Sequence, residues 1–254
     1  IKTSIDIIGK EMPIWLGHAA EISEGTDGKL LVTAGENSVE VDRVFASLGR
    51  LPNVEKLGLD TTGAPVDHKG IPVYNPTTMQ VGDLPVFLAG DVTGERPLLH
   101  EAGDEGRIAG QNAVSESITA YKRKTPLNIT FCDPNIVQVG QTYASLDPDK
   151  TAVGQVEMAP VGRALIMAKN KGLIRVYADK QTGLMLGAEM ICIKAENLGH
   201  LLAWSIQQGL TVGQLLQMPF YHPVIEEALQ AALYDLYAKV DTKNPGPIAE
   251  VLPL

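Results

Sequence analysis

The sequence has few cysteines and no long apolar run. Of its 254 residues only Cys132 and Cys192 are cysteines, and they form neither a CxxC motif nor a disulfide framework. We interpret both as reduced packing residues and expect a cytoplasmic protein. No apolar run approaches the roughly 20 residues that cross a bilayer, and the first ten residues lack the apolar core of a signal peptide. These absences argue against a membrane protein.

The chain is also short of positive charge and of phosphate-binding motifs. Its 21 basic and 30 acidic residues leave a net charge of −9, which opposes binding to nucleic acid or to an anionic membrane surface. No GxGxxG, Walker or GxSxG motif occurs. The histidines show no metal-ligand spacing, so no metal site is expected; they are His18, His68, His100, His200 and His222.

What is present is the composition of a globular protein, with 44% hydrophobic residues. The first 53 residues read as short strands, with GKLLVTA and NSVEVDRVFASLG separated by turn residues. We expect an antiparallel meander followed by a buried strand at 43–48. The chain begins with Ile1 in an alternating pattern rather than with Met. This start predicts the carboxyl-terminal part of a longer protein.

The run PVFLAGD predicts a strand in the middle of a sheet, ending at Gly90 and Asp91. A carboxylate at that end can accept hydrogen bonds from sugar hydroxyls, although from these residues alone a plain turn or helix cap is the favoured alternative. A helix follows. With Pro97 in its first turn, the amides of Leu98, Leu99 and His100 point outward at the positive end of the helix dipole.

A change in composition at YKRKTPLN marks a new domain of strands followed by helices, which is typical of an α+β architecture. The turn at 180–183 joins two alternating runs as a hairpin, and a helix is expected over 195–208. We interpret Trp204 and the nearby apolar stripe as core or interface; the stripe contains Leu201, Leu202 and Ile206.

The tripeptide before the last helix carries the second candidate site. Pro223 favours the first helical position, which leaves His222 just outside the helix with its ring free. Glu227 lies one and a half turns in, where it can bond one ring nitrogen and leave the other basic. From spacing alone, a capping histidine beside first-turn acids is the favoured alternative.

Four segments, taken in order, resemble the class I flavoprotein pyridine nucleotide-disulfide oxidoreductases, and within them the dihydrolipoamide dehydrogenases most closely. They are DRVFASLGRLPNVEKLGL, VFLAGDVTGERPLLHEAGDEGRIA, TFCDPNIVQVG with the following strands, and FYHPVIEEA. The resemblance implies an α/β remnant of FAD and NAD Rossmann-like domains, followed by an α+β interface domain with an antiparallel sheet. The implied domains are an NAD-domain remnant at 1–56, part of an FAD domain at 57–124, a dimerisation domain at 125–240 and an extended tail at 241–254.

The resemblance also implies roles for particular residues. Gly49 would lie beside NAD, Gly90 and Asp91 beside the FAD ribityl chain, and the turn at 97–100 (Pro97, Leu98, Leu99 and His100) beside the flavin ring. His222 would take a proton from the dithiol substrate and Glu227 would orient it. Because this domain pairs two subunits in the family, His222 would act in the partner's active site of a homodimer. A lipoyl domain of a 2-oxo acid dehydrogenase complex is a further implied partner.

Several family features are missing from the sequence. It has no CxxxxC redox pair and neither dinucleotide loop, so we expect the chain alone to be inactive and to retain little flavin. Asn135 stands where the family usually has Glu, and Val224 replaces a Thr whose hydroxyl would neighbour the catalytic histidine. Two alternatives remain open: a stand-alone dimerisation or interaction module, and another family member such as a soluble transhydrogenase, a glutathione reductase or a mercuric reductase.

Overall fold

The computed structural model describes residues 2–243, apart from the side chain of Asp60, and these residues form two compact units. The smaller unit comprises residues 19–123, and the larger unit comprises residues 2–18 and 124–243. The division of the first 124 residues at position 56 remains a prediction. From residue 244 onward, the predicted tail lies outside the described residues. Within residues 2–243, no helix is long and apolar enough to cross a membrane.

The smaller unit opens with a three-stranded antiparallel meander, as the turn residues predict. Its strands are β1 (Glu21–Glu24), β2 (Leu30–Ala34) and β3 (Asn37–Val41), in the order β1-β2-β3. The remainder contains two 3₁₀ turns, Leu59–Thr62 and Gly90–Thr93. A longer helix, α2 (Leu99–Ala113), follows them and buries Ile108 and Ala109 against Met79.

Two segments predicted as buried strands are not strands in the structure. Residues 43–48 form no ladder, and Phe45 and Leu48 are 96% and 95% exposed. The run PVFLAGD makes only an isolated bridge, between Phe87 and Gln80. A strand needs neighbours that pair with its N–H and C=O groups, and no strand of residues 2–243 flanks either run. An apolar run therefore does not become a strand without such neighbours.

The larger unit contains a five-stranded antiparallel sheet in the order β4-β5-β8-β7-β6. The strands are β4 (Leu127–Thr130), β5 (Asn135–Gly140), β6 (Thr151–Glu157), β7 (Leu173–Asp179) and β8 (Met185–Cys192). Its helices are α1 (Lys2–Ile8), α3 (Gly162–Ile166), α4 (Ala195–Gln207), α5 (Val212–Leu216) and α6 (Glu226–Tyr237). The antiparallel sheet followed by helices confirms the predicted α+β class.

Helix α1 corrects the strand expected at the start of the chain. Residues Lys2–Ile8 are helical and bury Ile7. The alternation of Ile5 and Ile7 fits a strand, but the spacing of Ile5 and Ile8 fits one face of a helix equally well. Periodicity alone does not separate the two structures in so short an apolar run.

The main core lies between the sheet and the helices of the larger unit. Alternate residues of β7, namely Ile174, Val176 and Ala178, are fully buried, as expected for one face of a strand. Helix α6 contributes a stripe to the same core, formed by Ala228, Leu229, Ala232, Leu233 and Leu236. Its spacing of three and four residues is that of the predicted amphipathic helix.

Helix α6 touches strand β6 at Gly154. A Cβ added there would lie 2.3 Å from the carbonyl oxygen of Ala232 and 2.5 Å from Cβ of Leu236. Since real atoms do not approach so closely, any larger residue would push the helix away from the sheet. Gly154 therefore sets the distance between α6 and the sheet.

We expect Gly154→Ala to destabilise the chain by about 1–3 kcal/mol, the usual penalty of overpacking a filled core. Thermal unfolding followed by circular dichroism measures the effect. Gly162→Ala is the matched control, because a Cβ at the first residue of α3 meets nothing within 4 Å. It should change stability by no more than about 0.5 kcal/mol. Equal stability of the two variants would contradict this account of α6 packing.

Candidate active site

The loop before α6 holds His222 between a partly buried residue, Phe220, and a buried one, Ile225. Phe220 packs against the main core and Ile225 is buried, whereas Tyr221 between them is exposed. The His222–Pro223 peptide bond is cis. The helix begins at Glu226, so Pro223 does not occupy its first position, and the prediction of a Pro-initiated helix is wrong. The preference of proline for the first helical position predicted a start of α6 that is too early, because residues 222–225 form a turn.

The structure brings His222 and Glu227 together as predicted. Nδ1 of His222 lies 2.8 Å from Oε1 of Glu227, and Oε2 of Glu227 accepts a hydrogen bond of 3.0 Å from the N–H of Val224. The His222 side chain is 81% exposed, and its Nε2 has no partner among residues 2–243. With the proton on Nδ1 donated to the carboxylate, Nε2 presents its lone pair to solvent.

The pKa of Glu227 is lowered below its ordinary 4.5, first by the hydrogen bond from His222 and then by the backbone N–H of Val224. Glu227 is therefore a carboxylate throughout the neutral range. An ionised acceptor favours the proton on the facing Nδ1, which fixes the tautomer and the orientation of the ring. The pair has the geometry of a general base with its orienting acid.

In the smaller unit, three residues predicted to bind cofactors line one cavity of about 460 Å³. They are Gly49, Asp91 and Pro97. Asp91 forms an ion pair of 2.7 Å with Arg50, a contact that sequence reasoning missed. The motif Gly-Arg-x-Pro-Asn could have indicated this ion pair, because Arg50 follows Gly49, the residue that we assigned to cofactor binding. The remaining members of the predicted set lie at Gly90 and at the start of α2.

Helix α2 begins at Leu99 with Leu98 as its N-cap residue, so Pro97 precedes the first turn and does not lie within it. The amides of Leu99, His100 and Glu101 lack acceptors within the helix, and no side chain caps this end. The Leu99 side chain is exposed. Such an end can donate to an electron-rich oxygen, as the sequence predicts for Leu99 and His100. The prediction for Leu98 is wrong, because its N–H donates to the carbonyl oxygen of Arg96 at 2.7 Å.

A buried charge cluster lies beneath this helix end, and sequence reasoning did not find it. One Nη atom of Arg123 lies 2.5 Å from Glu101 and 2.8 Å from Glu105, and the other oxygen of Glu105 accepts the N–H of Gly90 at 2.6 Å. Glu105 is fully buried. The cluster connects helix α2 to the turn that carries Asp91. The sequence could have indicated this cluster, because Glu101 and Glu105 are four residues apart and so lie on the same, otherwise buried face of the helix.

Two family models match the chain. One, described as the pyridine nucleotide-disulphide oxidoreductase dimerisation domain, matches residues 127–233, and the other, described as pyridine nucleotide-disulphide oxidoreductase, matches residues 10–106. The chain belongs to the pyridine nucleotide-disulfide oxidoreductases. This finding confirms the resemblance carried by the four sequence segments.

Similar proteins include dihydrolipoyl dehydrogenases. That of Halobacterium salinarum is 30% identical over 237 residues, which cover 90% of this chain and 49% of the relative. That of Haloferax volcanii is 29% identical over 226 residues, covering 85% and 47%. The chain thus spans about half the length of the curated relatives it matches.

A solved structure shows the same fold. The HOCl-induced flavoprotein disulfide reductase RclA from Escherichia coli matches with a TM-score of 0.77 at 24% identity, covering 93% of this chain and 54% of that one. The likeness supports the predicted fold class, including the antiparallel sheet of the larger unit.

The family depends on FAD and uses NAD or NADP as partner substrate. We therefore ask whether the residues of the smaller unit suit the chemical groups of FAD. The uncapped amides at Leu99 and His100 suit the electron-rich edge of a flavin, and Asp91 is half exposed beside them. These residues fit one end of the cofactor. The sequence contains no glycine-rich loop for its pyrophosphate.

Neither cysteine belongs to these clusters. Cys192 is fully buried, and burial raises the pKa of its thiol to about 12, so it is neutral and unreactive. Sγ of Cys132 lies 3.1 Å from the carbonyl oxygen of Pro134. Within residues 2–243, no three His, Cys, Asp or Glu residues are grouped to hold a metal ion. The packing role predicted for Cys192 is confirmed.

We expect a ¹³C NMR titration to find the pKa of Glu227 below 4.5 and to find it raised in His222→Ala, since the largest cause of its lowering is then gone. Because the folded-state pKa is lowered, this carboxylate stabilises the fold at pH values above its ordinary pKa. That contribution is lost as pH falls through the lowered value. His200→Ala, which removes an exposed histidine elsewhere, should leave Glu227 unchanged. An unchanged Glu227 pKa in His222→Ala would disprove the coupling.

Removing the cation from the buried cluster should loosen helix α2. We expect Arg123→Met to lower the local unfolding free energy of the α2 amides by about 3–5 kcal/mol, because Glu105 loses its cation and Glu101 keeps the longer contact of 3.3 Å with Arg96. Hydrogen exchange measures this quantity. Arg107→Met, which breaks an ion pair with a 78% exposed arginine, should change it by less than about 1 kcal/mol. The cluster has no structural role if both variants exchange alike.

Proposed function

We propose that this chain supplies the proton-transfer site of an FAD-dependent oxidoreductase that converts a dithiol to a disulfide and passes the electrons to NAD⁺. The observation that carries the proposal is the 2.8 Å contact between Nδ1 of His222 and Glu227, with Nε2 open to solvent. Dihydrolipoamide is the proposed substrate, because the similar relatives are named dihydrolipoyl dehydrogenases. Without the rest of that enzyme, the chain is proposed to be inactive.

His222 begins the reaction by accepting a proton. Oxidation of a dithiol releases two electrons and two protons, and a thiol attacks a disulfide only as its thiolate. Nε2 takes the proton from one substrate thiol, and the positive charge that forms on the ring is stabilised by the carboxylate of Glu227. The Val224 N–H holds the second oxygen of Glu227, so the carboxylate keeps its position as the charge develops.

The residues of the smaller unit would hold one end of the cofactor. Asp91 would accept hydrogen bonds from the ribityl hydroxyls, and the amides of Leu99 and His100 would face the flavin ring. Gly90 permits the close approach of this turn to α2, since a Cβ there would lie 3.3 Å from Cβ of Ala102. Gly49 would lie beside NAD. When bound, FAD supplies the two-electron carrier between the dithiol centre and NAD⁺.

A homodimer is the proposed assembly. One of the matching family models is described as a dimerisation domain, and it covers most of the larger unit. In such a dimer, His222 would serve the partner's active site. A lipoyl domain of a 2-oxo acid dehydrogenase complex is the proposed carrier of the dithiol.

The His222–Glu227 pair favours a dithiol substrate over a nicotinamide-to-nicotinamide exchange. A transhydrogenase has no thiol to deprotonate, so an oriented and exposed base would have no task in it.

In the full-length enzyme, His222→Ala should lower the rate of dihydrolipoamide oxidation by roughly 10²–10⁴, the usual contribution of a general base. Electron transfer from NADH to an artificial dye acceptor should continue at its normal rate, because that reaction needs no proton from a thiol. NADH absorbance follows the first reaction and dye reduction follows the second.

His200→Ala is the control, since this exposed histidine hydrogen-bonds a backbone carbonyl of its own helix and has no carboxylate partner among the described residues. It should leave both rates unchanged. If His222→Ala lowers the two rates equally, the histidine has a structural role and the proposal fails.

A further inference from the structure

Glu105 is a buried carboxylate to which the proposed reaction gives no task. It is fully buried on the inner face of α2, and both of its oxygens are bonded. Oε2 accepts the N–H of Gly90 at 2.6 Å, and Oε1 accepts a hydrogen bond of 2.8 Å from Arg123. Since a buried ion pair can often be replaced by packed apolar residues without loss of stability, stability alone does not explain a carboxylate here.

The bond to Gly90 fixes the turn that carries Asp91. Gly90 is buried with a φ of +80°, and it opens the 3₁₀ turn Gly90–Thr93. Its carbonyl oxygen accepts a hydrogen bond of 2.9 Å from the hydroxyl of Thr93, so both of its backbone polar groups are held. A buried N–H without an acceptor is costly, and Glu105 supplies that acceptor. The conformation of the turn therefore depends on Glu105.

Glu105 also belongs to the helix whose first amides we assign to the flavin. Leu99 and His100 are at the start of α2, and Glu105 follows on the same helix. The turn meets this helix closely, because a Cβ on Gly90 would lie 3.3 Å from a side-chain atom of α2. The Glu105–Gly90 bond therefore sets the distance between the carboxylate of Asp91 and the free amides of the helix.

Arg123 holds the carboxylate of Glu105 in place. The Arg123 side chain is only 14% exposed, and the nitrogen that bonds Glu105 also lies 2.5 Å from Glu101. The other oxygen of Glu101 lies 3.3 Å from Arg96. Two arginines thus face two carboxylates, and the oxygen of Glu105 that Arg123 does not hold is left for Gly90.

We propose that Glu105 is a positioning residue for FAD, acting through the amide of Gly90 to keep Asp91 at the distance from the α2 amides that the cofactor requires. Glu105 does not itself touch the cofactor, because it is fully buried. A ligand that is held at two points binds tightly only if both points are preorganised. The inference rests on the proposed function, since Asp91 and the start of α2 have to hold FAD.

Two variants of the full-length enzyme isolate the Glu105–Gly90 bond. Both carry Arg123→Met, and one adds Glu105→Gln whereas the other adds Glu105→Met. The two new side chains are uncharged and similar in length, but only glutamine offers Gly90 an oxygen. We expect Glu105→Met to bind FAD roughly 10- to 100-fold more weakly than Glu105→Gln, comparable to the loss when a metal site is deprived of a group that orients its ligand. Flavin fluorescence, followed as FAD is added to the flavin-free enzyme, measures both dissociation constants.

Asp91→Ala shows whether Glu105 acts through Asp91. Once this carboxylate is absent, the position of the turn no longer matters to FAD, so the Gln and Met variants should differ by less than about twofold. Groups that act independently of each other would keep the full difference.

The present chain, without cofactor, reports on the bond itself. The amide proton of Gly90 should exchange with solvent more slowly in the Glu105→Gln variant than in the Glu105→Met variant, because only the first retains an acceptor for it. NMR-detected hydrogen exchange measures this difference, and circular dichroism establishes that both variants are folded.

Asn112→Ala is the matched control for a general loosening of α2. Asn112 is buried near the other end of the helix, and its side chain donates to the carbonyl oxygens of Thr78 and Thr119 at 3.0 and 2.9 Å. The variant should unfold at a lower temperature, because these bonds are lost. Its affinity for FAD should stay within about twofold of the original value. A loss of affinity as large as that of Glu105→Met would assign the effect of Glu105 to stability and overturn the inference.

Three further results would overturn the inference. Equal FAD affinities of the Gln and Met variants would show that the bond to Gly90 does not position the site. A difference that persists in full with Asp91→Ala would show that Glu105 does not act through Asp91. Both of these results leave the proposed cofactor site standing. Unchanged FAD binding in Asp91→Ala alone would instead show that the proposed site is wrong, and the inference would fail with it.

Discussion

The close packing of helix α6 on strand β6 is the constraint on which the larger unit and its site depend. Gly154 lets the backbone of the helix meet the sheet, and Leu229, Leu233 and Leu236 fill the space on either side. Because the helix axis is fixed, its first turn projects from the edge of the core in one orientation. Glu227 is on that turn, where it meets His222 five residues earlier in the chain.

In the smaller unit the apolar clusters are small, and ionic interactions fix the position of helix α2. There the buried carboxylates of Glu101 and Glu105 share Arg123, and Glu105 also bonds the amide of Gly90. This cluster joins the turn that carries Asp91 to helix α2. The elements that we propose to face the cofactor are thus held by buried ionic hydrogen bonds, whereas the His222 loop is held by aliphatic packing.

Local pattern predicted those elements whose hydrogen bonds close within a short segment. The hairpins, α4, α6 and the α+β class follow from periodicity and turn chemistry, because helices and hairpins satisfy their backbone groups locally. The strands expected at 43–48 and in PVFLAGD failed for the same reason: a buried strand needs neighbours distant in sequence, and an apolar run does not reveal whether they are present. Helix starts at Leu99 and Glu226 were also missed, since a proline limits its neighbours without specifying where the first turn forms.

The sequence by itself determined the family, through the order of four motifs, and it selected the candidate site residues, His222, Glu227 and Asp91 among them. Only the tertiary structure decided which contacts these residues make. The 2.8 Å bond of His222 to Glu227, the ion pair of Asp91 with Arg50 and the burial of Glu105 each depend on side-chain positions set by packing. Spacing along the chain constrains which groups can meet, but distance, exposure and charge environment arise when the core closes around them.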